Sequence, residues 1–380
     1  MVSAWNKVIG LAILLIGLLM PSGVWGCNIP VFRYALEQWT PDDFVVVIFY
    51  REPLTAGQKD LVGTLQKARE LGTANLRVCQ IDVTKGMSGP FQALWKGQVK
   101  PTLPWVVVRY PAQSGIDLSV WAGPLSAESL SSLGESPARS EIARRLLRGD
   151  SVVWLLVEGE DPKQNDLLAR RLTDASQELE RTLTLPTPAP DDPQINPDLP
   201  LKIAFSMVRV SRSDPAENLL VSQLVNWEPR LRKTTQPLLF PVFGRGRVLP
   251  PAVGEGIQVG AIGAMARLLT GPCSCQIKEM NAGFDLLLGA KWDELLSGHT
   301  MNPGKLPPLI GISQFISNTT KGPASVLSAS EISLAQIKPV KERNSPHRVV
   351  HNVILAMAIG VVVVGSVALA LVSKARRANE

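Results

Sequence analysis

Continuous apolar runs alternate with amphipathic stretches through the middle of this chain. Phe44-Val45-Val46-Val47-Ile48-Phe49-Tyr50 is β-branched or aromatic at every position, the composition of a strand covered on both faces. The stretch 56–71 keeps Leu61, Leu65 and Ala68 on one helical face, and Gly72 supplies a stop. A second strand is predicted over 76–83, and Phe91, Leu94 and Trp95 fall on a short helix. Thr102-Leu103-Pro104 then opens the strand Trp105-Val106-Val107-Val108, and the turn Gln113-Ser114-Gly115 leads into a strand over 116–121. Helical spacing of Ile142, Leu146 and Leu147 closes this first unit.

The same order starts again at Val152. Val152 to Val157 is an unbroken apolar strand, and Asp161-Pro162 provides an N-cap and a first-turn proline. Leu168, Leu172, Ala175, Leu179 and Leu183 hold helical spacing after it. Pro186, Pro188, Pro190, Pro193, Pro197 and Pro200 make the following connection stiff and extended, either a plain exposed crossover or a docking segment. A strand over Leu201 to Val210 is expected next, with Asp214-Pro215-Ala216-Glu217 as a capping box for a helix carrying Leu220, Leu224 and Trp227. Thr235-Gln236-Pro237 opens another apolar strand, Gly244-Arg245-Gly246 turns it, and Ile257, Ala261, Ala264 and Leu268 mark a helix. The segments 285–288 and 292–296 finish the core.

The order β, α, β, α, β, β, α, with a proline immediately before the third strand, resembles the thioredoxin-like fold superfamily. The resemblance implies an α/β chain with two tandem modules, 27–150 and 151–297, each a mixed sheet flanked by helices. It also implies a cis-proline contact edge at Thr102 and Pro104, repeated at Thr235 and Pro237, where backbone polar groups face a bound chain. A redox-active member carries Cys-x-x-Cys at the start of the helix after its central strand, where the helix terminus lowers the thiol pKa. Here that place reads Arg51-Glu52-Pro53-Leu54-Thr55, without a nucleophile.

Both ends of the chain read as membrane-directed. Residues 1–26 combine Lys7, an apolar stretch from Val8 to Leu19 and a small residue at Gly26, the pattern of a secretory signal. Val24-Trp25-Gly26-Cys27 resembles a bacterial lipobox, which leaves lipidation of Cys27 open beside ordinary cleavage before an unmodified cysteine. The stretch 298–348 has the Gly, Pro, Ser and Thr content of a stalk, and 349–373 includes an uncharged run from Val353 to Ser373, long enough to span a bilayer as a helix. Residues 374–380 form a short basic tail. The predicted topology is single-pass in the cell membrane, with the body on the extracytoplasmic side.

Charge removes one class of partner. The formal net charge is +6, yet residues 27–337 hold 31 basic and 31 acidic side chains, so the excess sits at the ends. A neutral body does not supply the clustered cations that nucleic acid demands. The only histidines are His299, His347 and His351, which excludes a histidine base, triad or metal site from within the modules.

Chemistry rests on four cysteines: Cys27, Cys79, Cys273 and Cys275. Cys79 falls inside a predicted strand, as a buried inert thiol. Cys273-Ser274-Cys275 admits three readings: a structural disulfide (within the pair, or to Cys27 or Cys79), a soft-metal site, or redox exchange. No cofactor is expected, and no spacing points to an enzyme active site. Two functions follow. One is a membrane-anchored binding or assembly protein whose partner is another membrane or extracytoplasmic protein; the other is a thiol-redox or soft-metal protein acting through Cys273 and Cys275.

Overall fold

The computed structural model describes residues 27–297 apart from 88, 135, 191, 274–277 and 279–282, all of them within the compact unit Met1–Glu331. The signal segment, the stalk, the membrane span and Cys275 therefore lie outside the described residues. Among those described, no helix is long and apolar enough to cross a membrane.

The chain enters through β1 (Cys27–Pro30) and α1 (Val31–Gln38), then runs β2 (Phe44–Tyr50), α2 (Ala56–Glu70), β3 (Leu76–Asp82), α3 (Gly89–Lys96), β4 (Trp105–Arg109) and β5 (Ser119–Pro124). Two helices follow, α4 (Ala127–Gly134) and α5 (Pro137–Leu147). The second half contains β6 (Val152–Val157), α6 (Pro162–Thr182), β7 (Phe205–Val210), α7 (Asn218–Val225), α8 (Pro229–Lys233), β8 (Leu238–Phe243), β9 (Arg247–Val248) and β10 (Ala252–Val253). It ends with α9 (Val259–Thr270), β11 (Pro272–Cys273), β12 (Phe284–Asp285) and α10 (Trp292–Leu296). The molecule is α/β, with mixed sheets and helices.

Two sheets share one plan. In the first, the order is β3-β2-β4-β5, with β3 parallel to β2 and both β4 and β5 antiparallel to their neighbours. In the second, β7 is parallel to β6, and β8 and β9 continue antiparallel, with β12 beyond β9. The two all-apolar runs, β6 and β8, are buried at every residue because both faces of the second sheet are covered. Pro241 stands inside β8 without breaking it. A residue's N–H and C=O point to the same side of a strand; the Pro241 carbonyl faces away from β6 and accepts from Leu249 N at 3.2 Å, so the missing N–H costs no bond to β6.

The predicted helix ends hold at several points. Thr55 and Gln58 form a reciprocal capping box on α2, and Asp161 caps α6 ahead of Pro162. Four expectations shift. The strand predicted over 116–121 lies at Ser119–Pro124, the one predicted over 201–210 begins only at Phe205, and Trp227 falls beyond the end of α7. Asp214 does accept from Ala216 N, but the Glu217 side chain does not turn back to its own helix. It reaches across to the start of α5, accepting from Ser136 Oγ and, at 2.7 Å, from Ala138 N. A carboxylate is favoured there because the first N–H groups of a helix have no intrahelical partner and carry partial positive charge.

That bridge belongs to a wider interlock between the two halves. Helix α5, which ends the first half in sequence, packs on β6 and β7; α7, from the second half, packs on β5. One continuous apolar cluster thus contains Phe44, Val46 and Ile48 of β2, Leu146 of α5, Leu220 of α7 and Phe240 of β8. Tyr110 Oη donates to Gln223 O, its ring meets Phe44 and Phe284, and burial pushes its hydroxyl pKa up. Asn226 Nδ2 donates to Val120 O at 2.9 Å. The sequence boundary at 150–151 is therefore not a packing boundary.

The entering segment crosses over as well. β1 pairs with β11, and α1 packs on α9 and β8 in a second cluster with Trp154, Leu168 and Ile262. Arg33, buried and ion-paired to Glu37, donates to the carbonyls of Asn196 at 2.5 Å and Leu199 at 3.2 Å. Asn28 N bonds the Asp192 carboxylate and Asn196 N bonds that of Glu37, so the proline-rich crossover is pinned to the entering segment along its length.

Arg139 is fully buried beside Glu217, with its Nη1 donating to Leu133 O and Leu287 O; burial lowers its pKa to about 10 against the raising effect of Glu217. Removing Glu217 would take the acceptor from the first turn of α5 and a neighbouring negative charge from the buried Arg139. Glu217→Ala is expected to lower the unfolding free energy by about 3 kcal/mol in urea titration, and Glu217→Gln by less, because its amide oxygen still accepts from Ala138 N.

Candidate functional site

The two proline segments occupy the same place in their sheets. Phe49 pairs with Trp105, so the next register position sets Pro104 opposite Tyr50, beside the Arg51–Thr55 loop. Val157 pairs with Leu238, which sets Pro237 opposite Glu158 in the same way. The Leu103–Pro104 peptide is cis, the only cis bond among the described residues. Gln236–Pro237 is trans, a correction to the expectation of two cis-proline edges.

Their surroundings differ as well. At the second segment the chain's own backbone already fills the edge. Glu160 N donates to Thr235 O at 3.0 Å, Arg212 Nη2 to Gln236 O at 3.1 Å, and Gly254 N to Pro237 O at 2.9 Å. Gly159 lies so close that a Cβ there would stand 2.5 Å from Thr235 O and 2.7 Å from Pro237 Cδ. At the first segment, Pro104 O accepts from Leu125 N at 2.9 Å, while the N–H and C=O of Thr102 and Leu103 take no hydrogen bond among the described residues. Thr102 is exposed, and Val99 just before it is 84% exposed. Lys100, at φ 46°, turns the chain between them, and Trp105 Nε1 donates to Gln98 Oε1 at 3.1 Å. The first edge is open backbone flanked by an apolar side chain; the second is closed by the chain itself.

The opposing loop adds no nucleophile. Arg51, Glu52 and Pro53 are exposed, Leu54 is buried, and Thr55 is committed to its capping box.

The cysteines fall in two places. Cys79 lies buried in β3, opposite Val47, and desolvation pushes its thiol up to about 11, which keeps it protonated and inert. Cys27 and Cys273 are direct partners across the β1–β11 ladder, both buried in the apolar cluster with Trp154 and Phe32. The Cys27 Sγ donates to the Cys273 carbonyl at 3.5 Å. Among the described residues, no group of three or more His, Cys, Asp or Glu side chains could hold a metal ion.

Lys278 and Asp285 meet Asp42 and Arg247 in a group of four charges. Lys278 Nζ lies 3.0 Å from Asp42 and 3.1 Å from Asp285, and Arg247 lies 3.6 Å from Asp42 and 3.5 Å from Asp285. Asp285 also accepts from Asp42 N at 2.7 Å. Burial, and then the neighbouring Asp285, hold the Asp42 carboxyl above the usual carboxylate range, against the lowering effects of Lys278 and Arg247. The sequence carried no sign of this group, because its members are up to 243 residues apart.

Comparison with protein-family models, with curated proteins and with solved structures finds no match to this chain. The chemistry must be argued from its own residues.

A carboxyl whose pKa is raised by folding stabilises the protein most when it is protonated. The Asp42 contribution is therefore present in full below the ordinary aspartate value of about 3.9 and is lost as pH rises through the elevated folded value. The stability difference between wild type and Asp42→Asn should shift in favour of the variant as pH rises from 4 to 7 (roughly the window above that ordinary value), as read from urea midpoints. A difference that stays constant across the range would contradict it.

Proposed function

We propose that this chain is a membrane-anchored extracytoplasmic binding or assembly protein, built from two thioredoxin-like modules without a redox pair, and that the Pro104 edge is its contact surface. The observation that carries this reading is the asymmetry between the edges. Thr102 and Leu103 offer backbone donors and acceptors beside a cis proline, whereas the matching carbonyls of Thr235 and Gln236 are taken up by Glu160 N and Arg212; the carbonyl of the proline itself is bonded at both edges. An extended segment of another protein can pair with open backbone of this kind, and Val99 offers apolar area beside it. The partner class is another membrane or extracytoplasmic protein.

The missing nucleophile at 51–55 supports binding over exchange chemistry at this edge. The shared strand order of the two sheets supports the tandem reading, with one copy open and the other closed.

A photo-reactive residue placed at Thr102 in the full chain should yield a covalent adduct with a second protein in native membranes, and the same residue at Thr235 should not. Equal labelling from both positions, or none from Thr102, would remove the open-edge reading.

A further inference from the structure

We propose that Cys27 and Cys273 are a disulfide-forming pair that joins β1, the first strand of the described body, to β11, the short strand that follows α9. The two are register partners in an antiparallel ladder, where opposed Cβ atoms stand about 4.5–5.5 Å apart. Disulfides need Cα separations of roughly 4.4–6.8 Å and Cβ separations of roughly 3.5–4.5 Å, so opposed partners join once their Cβ atoms close by up to about 1 Å; the register of the ladder already shifts between Cys27 and Pro30, where β1 is irregular. Two further contacts fix the arrangement: the Cys27 thiol lies 3.5 Å from the Cys273 carbonyl, and Val31 N donates to Gly271 O at 3.0 Å, holding the two strands in line. The pair connects positions 246 apart in sequence, so the bond closes almost the whole described body into one loop.

The step is a thiol–disulfide exchange with a small-molecule or protein disulfide as oxidant. The Cys27 thiolate, at the first residue of β1, attacks one sulfur of that disulfide, and the other sulfur leaves as a thiolate. Cys273 then attacks the mixed disulfide at the Cys27 sulfur, forming the Cys27–Cys273 bond and releasing the second thiol. The oxidant gains two electrons, the cysteine pair loses two, and the two thiol protons pass to the released thiols. Both sulfurs are buried in the folded body, which places the exchange during folding or during opening of the four-residue β1.

The consequence extends to the N-terminus. A Cys27 sulfur held in this bond cannot also carry a lipid thioether, so the candidate lipobox and the disulfide exclude one another. The inference does not depend on the Pro104 contact surface, and the two can fail separately.

The test is peptide mapping of the full chain purified in mild detergent. One sample is taken directly under an alkylating quench; another is reduced, unfolded and refolded with oxidised glutathione. The expected result is a crosslinked peptide containing Cys27 and Cys273 with the mass loss of two hydrogens, and Cys79 alkylated once the chain is unfolded. The oxidised protein should melt roughly 5–15 °C above its reduced form, a difference absent from Cys27→Ser and from Cys273→Ser. Mapping on the wild type keeps the proposal decidable even if a variant does not fold. A Cys273–Cys275 or Cys27–Cys275 bridge, a lipid adduct on Cys27, metal retained on Cys273 and Cys275, or both thiols alkylated after oxidative refolding would each overturn it.

Discussion

A carboxylate placed on the first turn of a helix from the other half of the chain is the interaction on which this architecture depends. Glu217 accepts from Ser136 Oγ and Ala138 N, and beside it the buried Arg139 bonds the carbonyls of Leu133 and Leu287. Each charge is costly to bury alone, and together they are satisfied only when α4, α5, the start of α7 and the segment before α10 have all arrived. This makes the helices between the two sheets a common layer: α5 covers strands of the second sheet and α7 covers an edge of the first. Charge satisfaction and apolar burial point to the same arrangement, as the continuous cluster from Phe44 to Phe240 shows.

The same logic governs the chain's entry and exit. Arg33 satisfies three carbonyls of the proline-rich crossover, a segment whose prolines remove backbone donors and whose extended form leaves acceptors over. Lys278 and Arg247 gather Asp42 and Asp285, tying the loop before β2 to the strand that closes the second sheet. Both groups are long-range and polar, and both fasten pieces that hydrophobic patterning alone leaves unplaced. The entering strand β1 pairs with β11, where Cys27 meets Cys273.

The two sheet edges share a plan and differ in how they are covered. Both sheets carry a proline one register position before the third strand, and the loops facing them differ. The first faces Arg51–Thr55, which leaves Thr102 and Leu103 open; the second faces Gly159, whose missing side chain lets the 158–160 loop press directly onto Pro237. A single methyl group at position 159 would collide with Thr235 O and Pro237 Cδ, so closure of the second edge depends on that glycine.

Periodicity alone determined most of the strands and long helices. The runs 44–50 and 152–157 read as buried strands because every position is apolar, and α6 read as a helix because its leucines recur on one face; these are local properties of the side chains. The lack of histidine in the modules and of a cysteine at 51–55 was likewise fixed by composition. The cis proline at Pro104 was expected from the Thr-x-Pro segment, and only its counterpart at Pro237 departed from the expectation. Pairing was not legible. That α1 covers the second sheet, that Glu217 caps α5 rather than its own helix, and that Cys27 faces Cys273 all depend on which surfaces meet across dozens to hundreds of residues. Such contacts follow from burying apolar area and satisfying polar groups over the whole chain at once, and no local pattern carries that information.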